Sequence, residues 1–170
     1  DHIQPFIDAQ VPGLWVYYCC AQSSLVPNRF FAMESARNRI MGVLMYLYGI
    51  KGFLHWGYNF YNSKFSLHPV DPYRVTHADY AFPSGDPFLV YPGPDGAPLS
   101  SVRAEVQDDA LLDLRALQLL EQLAGRAFVE ELIYADAEMR PMTFRDYPRG
   151  AGYLLALRER VAAEIESRLA

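Results

Sequence analysis

Residues 14–20, Leu14-Trp15-Val16-Tyr17-Tyr18-Cys19-Cys20, form an unbroken apolar run between Pro12-Gly13 and the polar Gln22-Ser23-Ser24. An uninterrupted run of that length predicts a strand buried on both faces, the pattern of a parallel sheet. Ile40, Val43, Leu44 and Leu47 then recur at helical spacing, which predicts a helix over 34–48 ended by Gly49. Residues 52–58, Gly52-Phe53-Leu54-His55-Trp56-Gly57-Tyr58, return to a strand pattern, and strand, helix, strand is the order of a parallel crossover unit.

The segment 59–86 is rich in Asn, Ser, Pro, Asp and Gly, and it far exceeds the ~2–6 residues usual for connections in such units. Phe88-Leu89-Val90-Tyr91 predicts a third short strand, closed by the Pro92-Gly93-Pro94-Asp95-Gly96 turn cluster. Ser100 or Ser101 then caps a helix whose stripe of Val102, Val106, Leu112, Ala116, Leu119, Leu120 and Leu123 runs to Gly125. A short helix over 128–133 and a last helix over 152–169 follow, and the apolar face Leu154, Leu157, Val161, Ile165 should pack on the outside of the sheet. Residues 1–170 read as one domain of α/β class, about three parallel strands with outer helices, the tail of a barrel or of an open parallel sheet.

Composition narrows the function. The chain is 51% apolar, enough for a packed core, and carries a net charge of −5 with Lys and Arg scattered, which excludes a phosphate-backbone footprint and hence nucleic acid. The longest apolar stretch, 40–50, is about half of the ~20 residues a bilayer span needs, so no membrane association is expected. The chain opens on Asp1-His2-Ile3 without an initiator Met, so a piece of something longer is expected. Cys19 and Cys20 are adjacent. On a strand their thiols would point to opposite faces, predicting two reduced, packed cysteines and leaving the compartment, bacterial cytoplasm or secretion, open. His2, His55, His68 and His77 show no metal-ligand spacing on one element, and Gly-x-Gly-x-x-Gly, phosphate-loop and Gly-x-Ser-x-Gly patterns are absent, so neither metal nor other cofactor is expected.

In parallel-sheet architectures ligands bind at the C-terminal ends of the strands, here 18–21, 56–62 and 91–93. Those ends are aromatic and interleaved with Asn and His. Flat rings beside directional hydrogen-bond groups suit a pyranose, so carbohydrate is the expected partner, with Trp56 as the stacking platform and Tyr58, Asn59, Tyr18 and Tyr91 as further contacts. His55 alternates with Trp56 and should face the other side. Among carboxylates near the active edge, Asp71 and Asp95 sit in turn sequences and Asp86 is the best candidate acid. Asp108-Asp109 and Glu130-Glu131 read as solvated helix faces.

Five motifs in order, Trp15-Val16-Tyr17-Tyr18-Cys19-Cys20, Ser35-Ala36-Arg37-Asn38-Arg39-Ile40, Gly52-Phe53-Leu54-His55-Trp56-Gly57-Tyr58-Asn59, Leu89-Val90-Tyr91-Pro92-Gly93-Pro94-Asp95-Gly96 and Ser101-Val102-Arg103-Ala104-Glu105, carry a resemblance. Together they resemble the C-terminal part of the glycoside hydrolase family 123-like catalytic domain of bacterial proteins. The resemblance implies a (β/α)8 TIM barrel ending in the three strands above, and a β-N-acetylgalactosaminidase using the substrate's acetamido oxygen as nucleophile. It also implies an adjacent Asp-Glu pair, the Asp orienting the acetamido group and the Glu acting as acid/base. This chain contains no Asp-Glu dipeptide. The pair is therefore expected in upstream strands, and no catalytic residue is expected within 1–170, which alone should be inactive. Trp56, Tyr58 and Asn59 are carried over as sugar contacts. Arg37 and Arg39 lie in a matching motif and read equally well as rim groups binding carbonyls and carboxylates. The alternative is a non-catalytic carbohydrate-binding or structural barrel remnant. In either case the open edge at 14–20 should drive self-association through Trp15 and Tyr17.

Overall fold

The computed structural model describes residues 3–22 and 25–170. Asp1, His2, Ser23 and Ser24 lie outside the described residues, including the His2 considered as a metal ligand and the polar boundary at Ser23-Ser24. The architecture is mixed α/β, with few strands and several helices.

The chain begins with α1 (Gln4–Asp8) and enters β1 (Trp15–Tyr17), which pairs in parallel with β2 (Gly52–Leu54) in the register Trp15 to Gly52 and Tyr17 to Leu54. The predicted crossover unit is therefore present. Its helix comes in two pieces, α2 (Ser35–Arg39) and α3 (Met41–Leu47), which meet at Ile40. Gly49, at φ +64°, reverses the chain after α3 as the sequence predicts.

Two expectations change. Residues 14–20 are not buried on both faces: Trp15 is 63% and Tyr17 48% exposed, whereas Tyr18 and Cys19 are buried. The strand stops at Tyr17, and among the described residues β1 pairs only with β2, so one edge and one face lack a neighbouring element. The third strand also exists, as β3 (Val90–Pro92), but it pairs antiparallel with β4 (Pro98–Ser100) rather than extending the parallel pair. The turn cluster is the cause, because Gly93 N–H donates to Ala97 O at 2.8 Å and Gly96 N–H to Gly93 O at 3.1 Å, folding the chain straight back on itself.

Helix α4 (Val102–Ala124) is the central beam, capped by Ser101, whose Oγ accepts from Ala104 N–H at 3.3 Å. Helices α2, α3, α5 (Arg126–Tyr134) and α6 (Ala151–Leu169) all pack on it. α6 therefore docks on α4 and not on the sheet, since a two-stranded sheet offers no apolar face as long as that of α4. Ile40, Met41 and Leu44 from one side meet Ala110, Leu117 and Leu120 of α4, with Val129, Leu154 and Leu157 closing the core. The approach is closest at Gly42, where a Cβ would stand 1.9 Å from Ala110 O, so only glycine lets α3 and α4 come this near.

Candidate functional site

Beyond β2 the chain runs through Trp56 and Gly57 and lies alongside residues 87–90. Leu89 N–H donates to Tyr58 O at 2.8 Å, Phe60 N–H donates to Pro87 O at 3.0 Å, and Asn59 bridges Phe88 in antiparallel sense. A Cβ at Gly57 would stand 2.5 Å from Asp86 O, so glycine is what allows this contact. The ladder brings four of the five expected contacts into one neighbourhood. Trp56 is half-buried between Phe60 and Phe82, with ring centroids at 5.2 and 4.7 Å. Tyr58 and Asn59 are exposed beside it, and the Tyr91 ring lies tilted against Tyr73, with centroids 5.0 Å apart. Tyr18 is placed apart from them, 3% exposed within the core against Phe53.

Asp86 anchors this neighbourhood from below. It is fully buried, and its Oδ2 accepts the Trp56 indole N–H at 2.9 Å. Burial raises its carboxyl above the usual range, opposed by the Trp56 hydrogen bond and the Arg29 charge. So held, the carboxyl fixes the indole and is closed off from solvent. Asp71 and Asp95 are turn-formers, accepting from Tyr73 N–H at 3.0 Å and Ala97 N–H at 3.1 Å.

Arg29 escaped the sequence reading. Its guanidinium is 1% exposed and lies over Phe53 at 4.6 Å and Tyr18 at 5.4 Å. Its Nη1 donates to His55 Nδ1 at 2.9 Å. Because arginine only donates, His55 must be neutral with its proton on Nε2. Desolvation, then the Arg29 charge, drops the His55 pKa to about 3. The Tyr18 hydroxyl faces the same guanidinium without completing a hydrogen bond of good geometry, and burial raises its pKa. A lone arginine in a polar-looking stretch, Pro27-Asn28-Arg29, gives no sequence sign that it will be swallowed by the core.

The two thiols also depart from expectation. Cys19 Sγ and Cys20 Sγ lie 3.7 Å apart, and with a carboxylate oxygen of Asp86 all three atoms fall within 4.8 Å of one another. Strand alternation does not apply to them, because β1 has ended and Cys20 opens a 3₁₀ turn, Cys20–Gln22. Cys19 N–H donates to Gln22 Oε1 and Asn28 Nδ2 donates to Cys19 O, each at 2.9 Å, which fixes that turn. Burial, then hydrogen bonding to Cys19, pushes the Cys20 thiol up to about 12.

Arg37 and Arg39 lie away from this neighbourhood. Arg37 donates to Tyr147 OH at 3.0 Å and Arg39 Nε to the Asp113 carboxylate of α4 at 2.6 Å.

The match to known families places the chain among the glycoside hydrolases. Residues 1–120 match the family described as "Glycoside hydrolase 123, catalytic domain", and the chain belongs to that family. Its substrate class is accordingly carbohydrate. No curated protein matches the chain. No helix among the described residues is long and apolar enough to cross a membrane.

Proposed function

We propose that residues 1–170 are the C-terminal portion of a (β/α)8 barrel of the β-N-acetylgalactosaminidase type, and that they supply a sugar-binding wall rather than the catalytic carboxylates. The observation that carries this reading is the half-buried Trp56 indole, pinned by its N–H to buried Asp86 and flanked by exposed Tyr58 and Asn59. A rigid aromatic face beside amide and phenol groups suits the C–H face of a 2-acetamido sugar. Tyr91 extends that wall, and Tyr18 supports it from the core through Arg29. The locked Asp86 favours a second reading, a carbohydrate-binding element with no hydrolysis of its own.

Trp56→Ala is expected to weaken binding of an N-acetyl-hexosamine by about 0.5–1.5 kcal/mol beyond the lost contact area while the chain still melts cooperatively. Calorimetric titration and a thermal melt read the two effects separately. If the melt loses cooperativity while the folded fraction binds sugar as before, Trp56 is core and the reading is wrong. Sugar binding without turnover of an aryl N-acetyl-hexosaminide that also persists in the full-length protein selects the second reading.

The barrel reading extends to the free edge of β1. Trp15 and Tyr17 project beside a groove of about 620 Å³ that Phe6, Tyr18, Leu25 and Phe144 also line, and α1 reaches only one part of it. In a barrel that edge pairs with the preceding strand. Residues 1–170 alone are expected to self-associate there. Sedimentation at micromolar concentration checks it, and a monomer with slow amide exchange along 14–20 counts against the barrel.

A further inference from the structure

The sugar wall leaves the chemistry below it unused. Cys19, Cys20 and Asp86 converge on one point, and nothing in sugar recognition requires two thiols there. We propose that these three residues form a binding site for a borderline-soft divalent cation of the zinc type, with two thiolates and one carboxylate oxygen as ligands and a fourth position open.

Geometry is the first support. Tetrahedral zinc with sulfur at about 2.3 Å sets two thiolates about 3.8 Å apart, and the observed separation is 3.7 Å. The sulfurs therefore already occupy one edge of the coordination tetrahedron. Bonds from Cys19 N–H to Gln22 and from Asn28 to Cys19 O fix the Cys19 main chain, and its Sγ accepts from the Tyr17 hydroxyl at 3.1 Å, a donor that a metal-bound thiolate can keep.

The carboxylate is the second support. Asp86 is fully buried, and its two oxygens are not equivalent: Oδ2 is taken by the Trp56 indole, whereas Oδ1 makes no hydrogen bond of normal geometry among the described residues. The Cys20 N–H and thiol also bear on this carboxyl, so it already faces the sulfurs, and a buried oxygen with no bond of good geometry is costly unless something occupies it. A ligating carboxylate steadied through its second oxygen by an N–H donor is the usual second layer of a metal site.

Charge is the third. Arg29 is buried, makes no ion pair among the described residues, and its field reaches both Cys19 and Asp86. On binding, each thiol releases its proton to solvent as its sulfur takes the metal. One divalent cation and one guanidinium then face two thiolates and one carboxylate, so the buried group as a whole carries no net charge.

Cobalt(II) and zinc(II), added to the reduced, chelator-stripped chain, test the site. One equivalent of cobalt should give a thiolate-to-metal charge-transfer absorption with the visible bands of a tetrahedral site, and zinc should displace it. Zinc should also slow alkylation of both Cys19 and Cys20, read by mass spectrometry on the wild-type chain so that no variant need fold. Trp56→Phe, which removes the N–H holding Oδ2, should weaken zinc about tenfold. Alkylation at the metal-free rate in the presence of zinc overturns the proposal. A cobalt spectrum unchanged in Cys20→Ser places the ion elsewhere and overturns it equally.

Discussion

Acidification is expected to destabilise the fold by about 1.4 kcal/mol per pH unit once the pH drops below the ordinary histidine value, and His55→Asn should remove that dependence. His55 is held neutral by burial and by the Arg29 guanidinium at 2.9 Å, with Arg103 adding like charge. Its pKa is 6.5 in the unfolded chain and about 3 in the folded one. Between those values the unfolded state binds a proton that the folded state refuses. Stability from this group is therefore complete above 6.5 and lost as the pH falls toward 3. Asp86 works in the opposite sense, since its raised carboxyl takes a proton more readily in the folded state and offsets part of the loss at the acid end. Asn keeps an acceptor for Arg29 but cannot titrate. Urea unfolding across the window measures the effect, and parallel profiles for wild type and His55→Asn would show that His55 is not the proton-linked group.

Asp113→Ala is expected to cost about 3 kcal/mol, because it strands a partly buried arginine at the junction of three helices. Asp113 is 6% exposed on α4 and accepts from Arg39 Nε at 2.6 Å, from Arg39 Nη2 at 3.0 Å and from Arg158 Nη1 at 2.7 Å. These bonds tie α2 and α6 to α4. Arg158 is well exposed and can return to water, so the penalty falls on Arg39, whose side chain is 17% exposed. Asp109, at 3.8 Å from Arg39, recovers only part of it. Replacing the pair with apolar residues, Asp113→Leu with Arg39→Met, should restore much of the loss, since well-packed hydrophobes often substitute for buried ion pairs without cost. A single-mutant cost below about 1 kcal/mol, the range of a surface ion pair, would mean that water reaches this junction freely.

Both predictions concern arginines that end up inside the molecule, and both explain how the candidate site is held. Arg29 fixes the tautomer of His55 next to Trp56, while the Arg39 cluster keeps the helical layer behind the strands in place. The aromatic wall consequently rests on polar anchors rather than on apolar packing alone.

The sequence by itself determined the elements carried by local pattern: the parallel crossover from β1 to β2, a capped start of α4 at Ser100 or Ser101, its end at Gly125, and the α6 stripe, while the structure chose Ser101 as the cap. Periodicity, caps and glycine stops act over a few residues, so they survive without knowledge of the fold. The same local reading gathered Trp56, Tyr58 and Asn59, because they are neighbours on one strand end. The tertiary structure alone decided the rest. Proximity of Asp86 to Trp56 spans 30 positions and that of Arg29 to His55 spans 26, and no periodic signal reaches so far. The end of β1 at Tyr17 depended on which strands were available to pair, and once the strand stopped, the alternation that separates adjacent thiols stopped with it. Cys19 and Cys20 met Asp86 for that reason, and α6 chose α4 over the sheet because burial follows the largest apolar surface the assembled molecule offers.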